Sequence, residues 1–183
     1  MVRIWKYANY KEYVSSQVKR WKSQRKKVKP FEYYKNIVRP LFDFVDKDKI
    51  STVICQGVRN DNEVQCMRKI FKKSTVYGTD ISYESHAQNI YRLDFSKCPE
   101  DWGKKFDLLF SNSIDHSYIG EDILKEWVRI TRGYMIIQFA GSSPRPSDPF
   151  SVDSDEEIRA MCGKYGLEIL RLKNLYLLAK VTV

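Results

Sequence analysis

Apolar residues recur along this chain with two different periods, and the period changes near Ile50. Before it, Tyr10, Val14, Val18 and Trp21 recur at spacings of three and four, which predicts one helix face. Lys11, Lys19, Lys22 and Lys26 point elsewhere. Pro30 interrupts, and a second helix is expected from about Glu32, with Tyr34, Ile37, Val38, Leu41, Phe42 and Val45 in a wide apolar stripe. Pro40 falls inside that stripe and should kink or split the helix. Residues 46–49 read as an exposed connection.

Beyond Ile50, short β-rich runs alternate with helical patterns. Thr52-Val53-Ile54-Cys55 predicts a strand, followed by a turn at Gly57 and a helix through Val64, Met67, Ile70 and Phe71. Further strands are expected at 75–80, 89–93, 106–110 and 134–139, with a helix over 120–131 before the last. Near-continuous apolar strands alternating with helices indicate a parallel sheet covered on both faces. A helix over 154–165 then leads to strands at 167–172 and 175–183. Two strands this close pair only as a hairpin, because a parallel return needs a dozen or more residues. The fold class is therefore α/β: a Rossmann-like, mostly parallel sheet with a final antiparallel strand, helices on both faces, and an N-terminal helical extension.

Charge sharpens the division. Residues 1–50 hold 14 Lys/Arg and 5 Asp/Glu, whereas residues 51–183 hold 18 of each. The whole excess sits on a basic extension, residues 1–49, ahead of a neutral domain at 50–183. Its densest run, 19–29, fits either a nucleic-acid partner or a solvated helix face. Trp5, Tyr7, Tyr10, Tyr13 and Trp21 among those cations either stack bases or anchor the helices on the sheet. No apolar run reaches the roughly 18 residues that span a bilayer, and the opening residues, with no continuous apolar stretch, are not expected to act as a secretory signal. Cys55, Cys66, Cys98 and Cys162 form no CxxC pair, and with only His86 and His116 no metal constellation is expected. Four reduced thiols in a cytoplasmic protein are the expectation, with Cys55 and Cys162 as core filler.

In an open α/β sheet, ligands bind beyond the carboxyl ends of the strands, near the point where strand order reverses. After the first strand comes Gln56-Gly57-Val58-Arg59-Asn60-Asp61-Asn62-Glu63, where a glycine admits a ligand to the backbone and a helix start offers free N–H groups. Asp80 follows the second strand and can accept both hydroxyls of a ribose. Asp94 follows the third and can accept from an adenine amino group. Ser111-Asn112-Ser113-Ile114-Asp115-His116 follows the fourth and would face a substrate. Either acid alone also fits a helix cap or a turn. Four such loops in this order are the more specific signal.

Those segments, in that order over residues 50–183, resemble the class I S-adenosylmethionine-dependent methyltransferases, in a type 11-like form with a variant glycine loop. Tyr77-Gly78-Thr79-Asp80-Ile81-Ser82 is similar to the ribose-binding motif, and Leu93-Asp94-Phe95 to the one that brackets adenine. Phe106-Asp107-Leu108-Leu109-Phe110-Ser111-Asn112 resembles the fourth motif, and Gly133-Tyr134-Met135-Ile136-Ile137 the fifth strand. The resemblance implies S-adenosyl-L-methionine as cofactor, held by Gln56, Gly57, Val58, Arg59, Asn60, Glu63, Asp80, Ile81, Asp94, Phe95, Ser111 and Asn112. The chain departs from the family's GxGxG loop, since only Gly57 matches, with Arg59 and Asp61 at the other two places and Cys55 where an acid is usual. Arg59 or Asn60 can instead bond the cofactor carboxylate.

Methyl transfer is an in-line displacement that depends on holding donor and acceptor together, with a base needed for a poor nucleophile such as a hydroxyl. His116, with Asp115 beside it, is the expected base, though a histidine here also fits simple packing. The loop 140–150 fits either a substrate lid or a plain connector. The acceptor stays open between a small molecule and a nucleic acid. The alternative is a catalytically degenerate methyltransferase-like binding module, and a nicotinamide-dependent enzyme is disfavoured because GxGxxG is absent.

Overall fold

The computed structural model describes residues 2–24, 26–27, 29–82, 87–141 and 143–183. Arg25 and Val28 of the basic run, His86, and Ser142 of the long loop therefore lie outside the described residues. Five parallel strands, β2 (Thr52–Gln56), β3 (Thr75–Asp80), β4 (Ile90–Arg92), β5 (Phe106–Ser111) and β6 (Thr131–Gln138), are followed by the hairpin β8 (Leu167–Lys173) and β9 (Tyr176–Val181). The sheet order is β4-β3-β2-β5-β6-β9-β8, with β9 antiparallel to β6. The chain's last strand thus inserts between β6 and β8 instead of adding to the edge.

The period of two sends alternate residues to opposite cores. Ile54, Leu109, Met135 and Ile137 face α4 (Ile123–Ile130) and α5 (Asp155–Tyr165). Val53, Cys55, Leu108, Phe110 and Ile136 face α2 (Phe31–Val38) and α3 (Asn62–Ile70). All four cysteines are buried and free, which for Cys55 and Cys162 is as expected of core filler, and burial pushes those two thiols up. Pro40 does end the second helix, which passes into a 3-10 turn over Arg39–Asp43. Phe42, expected in the apolar stripe, is instead an exposed large hydrophobic, because the tighter turn rotates it outward.

The N-terminal segment is bound to the sheet domain. A two-residue strand β1 (Arg3–Ile4) pairs antiparallel with β7 (Phe150–Ser151), a pairing too short to leave a periodic signal. Gly120, at φ +59, makes room for it: a Cβ there would lie 2.4 Å from Ile4 Cδ1. From this clip the chain enters α1 (Tyr10–Gln24), whose buried residues are Tyr13 and Gln17. The predicted stripe of Tyr10, Val14, Val18 and Trp21 is only half-buried. The face that turns inward carries a glutamine, because what lies beneath it is a polar cleft and not the core.

Candidate functional site

Strand order reverses between β2 and β5, and the cleft opens beyond the carboxyl ends of β2, β3 and β5. It is floored by Gly57, Asp80, Asp94 and Phe95 and roofed by Tyr13, Gln17 and Trp21 of α1, enclosing about 480 Å³ with its mouth. A second cavity, of about 1080 Å³ with its open mouth, joins it, sharing Arg20, Gly57, Arg59, Ser113 and His116 and adding Asn60, Glu63, Asn112 and Asp115. Of the residues singled out in the sequence, Gln56, Val58 and Ser111 line neither. Gln56 is buried and accepts from Thr79 Oγ1, Val58 is core, and Ser111 Oγ donates to the Gln56 carbonyl at 3.1 Å. These three position the floor from below.

Gly57 reaches the cleft because its φ of +79 suits glycine, and a Cβ there would lie 2.6 Å from Ser113 Cβ. Its N–H and that of Val58 both donate to the Thr79 carbonyl, which ties the loop to the end of β3. Asp80 accepts from the Ser82 N–H at 2.8 Å, and burial pushes its carboxyl above the usual range. Asp94 Oδ1 accepts from the N–H and hydroxyl of Ser96, while Oδ2 accepts from Tyr10 at 2.6 Å. Burial, with Asp94 adding to it, pushes the Tyr10 phenol upward.

His116 sits where the two cavities meet. Its Nδ1 lies 2.8 Å from Gln17 Oε1, an acceptor, so Nδ1 is the nitrogen that donates to it. This orientation of the Gln17 amide also lets its Nε2 donate to the Ser147 carbonyl. His116 Nε2 faces Asp148 at 3.7 Å and Asp115 at 3.9 Å. Burial pushes the Asp115 carboxyl up, against the pull of His116. Burial also works against ionised Asp148, but His116, Arg145 and Arg20 outweigh it and hold that carboxyl low. The three residues offer ligand atoms within 4.8 Å of one another, a cluster the sequence conceals because Asp148 lies far along the chain. Arg20 and Arg145 already pair with Asp148, at 2.9 and 2.5 Å.

Anchoring of the N-terminal aromatics was one of the two readings of the sequence, but that α1 covers the cleft was missed. Trp21 Nε1 donates to the Arg59 carbonyl at 2.7 Å, and the Asn60 amide to the Lys27 carbonyl at 3.3 Å. Ser16 and Tyr7 donate to the Pro146 carbonyl, which joins α1 to the loop after β6. Tyr7, Tyr10, Tyr13 and Tyr118 pack ring to ring beneath it. These aromatics anchor the helix. The spacing of Tyr13, Gln17 and Arg20 was the available signal, a polar strip beside an apolar one. Lys19, Lys22 and Lys26 are exposed, away from the cleft. No helix among the described residues is long and apolar enough to cross a membrane.

No family model matches this chain, and no curated protein matches it by sequence. Solved structures do. A S-adenosylmethionine-dependent methyltransferase from Aquifex aeolicus superimposes with a TM-score of 0.63 at 17% identity, over 90% of this chain and 98% of that one. The 1,6-didemethyltoxoflavin-N1-methyltransferase of Burkholderia thailandensis, with its namesake compound and S-adenosylhomocysteine bound, gives 0.69 at 12%, over 98% and 93%. The fold of this chain is the Rossmann-like fold of class I S-adenosylmethionine-dependent methyltransferases.

Proposed function

We propose that this chain is a S-adenosylmethionine-dependent methyltransferase whose cofactor lies under α1 and whose acceptor enters from the larger cavity. One observation carries the reading: Gly57, Asp80, Asp94 and His116, scattered over 60 residues of sequence, border one cleft at the switch point of the sheet. The residues fit the group. Asp80 offers a half-buried carboxylate to the ribose hydroxyls, Asp94 with Phe95 and Ile81 takes the adenine, and the bare face of Gly57 with Asn112 and Arg59 takes the amino-acid end.

When bound, the cofactor supplies an electrophilic methyl group on a sulfonium. The chain's own residues exclude water and orient the acceptor. Tyr13 and Trp21 roof the cleft, and His116 Nε2 is placed to take a proton from an acceptor hydroxyl or amine. Asp115 and Asp148 stabilise the imidazolium that results, and Gln17 fixes the ring.

Calorimetric titration with S-adenosylmethionine and S-adenosylhomocysteine tests the cofactor, and absence of heat at millimolar ligand overturns it. In a radiolabelled acceptor screen, His116→Asn is expected to cut transfer to a hydroxyl acceptor by about 10²–10⁴-fold while cofactor affinity stays within a few fold. Cofactor binding with no transfer to any small molecule or nucleic acid favours a non-catalytic module.

A further inference from the structure

We infer that Glu63, steadied by Tyr34, is the receptor for the ammonium group at the amino-acid end of the cofactor, an inference resting on the cofactor reading above. Glu63 is the second residue of α3 and only 6% exposed. Its Oε1 accepts a 2.8 Å hydrogen bond from the phenol of Tyr34, itself 1% exposed on α2. Its Oε2 is buried with no hydrogen-bond partner among the described residues. A carboxylate oxygen out of water and unmatched is costly, and a cationic donor arriving in the cavity relieves that cost.

The location fits that donor. Glu63 and Tyr34 line the larger cavity together with Gly57 and Asn112, next to the cleft that holds Asp80 and Asp94. Strand β2 contributes no acid of its own, since it reads Thr52-Val53-Ile54-Cys55-Gln56. The helix that follows supplies a carboxylate to this wall instead, that of Glu63. Arg59 and Lys29 line the same cavity, where they favour the charged form of Glu63 and offer positive charge to the carboxylate of the same amino-acid end. An α-amino acid carries one charge of each sign, and this wall presents the complement of both. Burial pushes the Glu63 carboxyl upward, the direction that a bound ammonium would reverse.

A purely structural Glu63 predicts a different outcome from a receptor, because glutamine keeps the acceptor for Tyr34 and loses only the charge. The test is calorimetry of the intact protein with two ligands: S-adenosylhomocysteine, and 5′-methylthioadenosine, which has the same nucleoside and no amino-acid end. Glu63→Gln is expected to weaken S-adenosylhomocysteine by about tenfold or more, in line with a lost charge-assisted hydrogen bond. It should change 5′-methylthioadenosine by less than about twofold. Tyr34→Phe is expected to show the same selectivity with a smaller loss. Unchanged affinity for S-adenosylhomocysteine, or equal losses for both ligands, overturns the inference while leaving the cofactor reading intact. Failure of both ligands to bind the unmutated protein overturns the cofactor reading, and the inference with it.

Discussion

The phenol of Tyr10 donates a 2.6 Å hydrogen bond to Asp94 across 84 residues of chain, so that α1 closes on an acid of the cleft floor. Asp94 is 9% exposed, and its other oxygen is held by Ser96. Tyr10→Phe should therefore lower stability by about 1–2 kcal/mol in urea unfolding, the range for a hydrogen bond to a charged acceptor near the surface. The same change frees an acceptor lone pair for the ligand. Affinity for S-adenosylhomocysteine should hold or rise, and a tenfold fall would mean that Tyr10 itself grips the ligand.

Asp80 yields a prediction with opposite signs for stability and binding. Burial raises its folded-state pKa, against the Ser82 N–H, so the charged form is disfavoured in the unliganded protein. A raised carboxyl contributes stability below its unfolded pKa and loses it as pH climbs through the folded value. Asp80→Asn should therefore raise the melting temperature at pH 7. Ribose hydroxyls donate to the carboxylate, so binding releases a proton at acid pH, and affinity should fall as pH drops through the raised pKa. Asp80→Ala should cost about 100-fold in affinity and remove that pH dependence. Calorimetry from mild acid to pH 8, in two buffers of different ionisation enthalpy, measures both.

Much of the sheet domain was legible because its signals are local. Each strand is a short apolar run, and each acid stands at a strand end, so Asp80 and Asp94 could be placed before any contact was known. The hairpin was legible from loop length, but its insertion beside β6 was not, since partner choice is a long-range matter. That α1 covers the cleft was illegible for the same reason, although its aromatics could be read as anchors. Pairing of Arg3 and Ile4 with Ser151 and Phe150, and the bond from Tyr10 to Asp94, leave no periodic trace. Gln17 lies outside the apolar stripe of Tyr10, Val14, Val18 and Trp21, and nothing local says that the ground beneath it is polar.

Asp148 fastens the roof to the loop after β6. It is 2% exposed and pairs with Arg20 of α1 and with Arg145. Its lowered pKa means that its contribution is present above the unfolded carboxylate pKa and is lost as pH falls through the folded value. Asp148→Asn keeps the shape and leaves two guanidiniums without their charge partner. About 2–3 kcal/mol should be lost, below the usual figure for a buried pair because Arg145 is largely exposed. Trypsin should then cut at Lys19 and Lys22 faster, at a site that S-adenosylhomocysteine protects. Unchanged cleavage would show that the clip of β1 with β7 holds α1 by itself.

Gly57 permits a test that separates backbone strain from steric clash. An alanine there meets two obstacles: a φ of +79, and a Cβ 2.6 Å from Ser113 Cβ and 2.8 Å from its Oγ. The first costs about 1–2 kcal/mol for a non-glycine residue. The second adds about 1–3 kcal/mol, as overpacking does elsewhere. Gly57→Ala should thus lose about 2–5 kcal/mol and most of its affinity for S-adenosylhomocysteine, since the new methyl group enters the cleft. Ser113→Gly removes the clash without touching the φ angle, and it also deletes the bond from Ser113 Oγ to the Gly57 carbonyl. The double variant should therefore recover part of the stability lost by Gly57→Ala, with the unrecovered share measuring the strained backbone. Denaturation of the single and double variants checks this. Full additivity of the two losses would place the Gly57 side of the cleft farther from Ser113 than the structure has it.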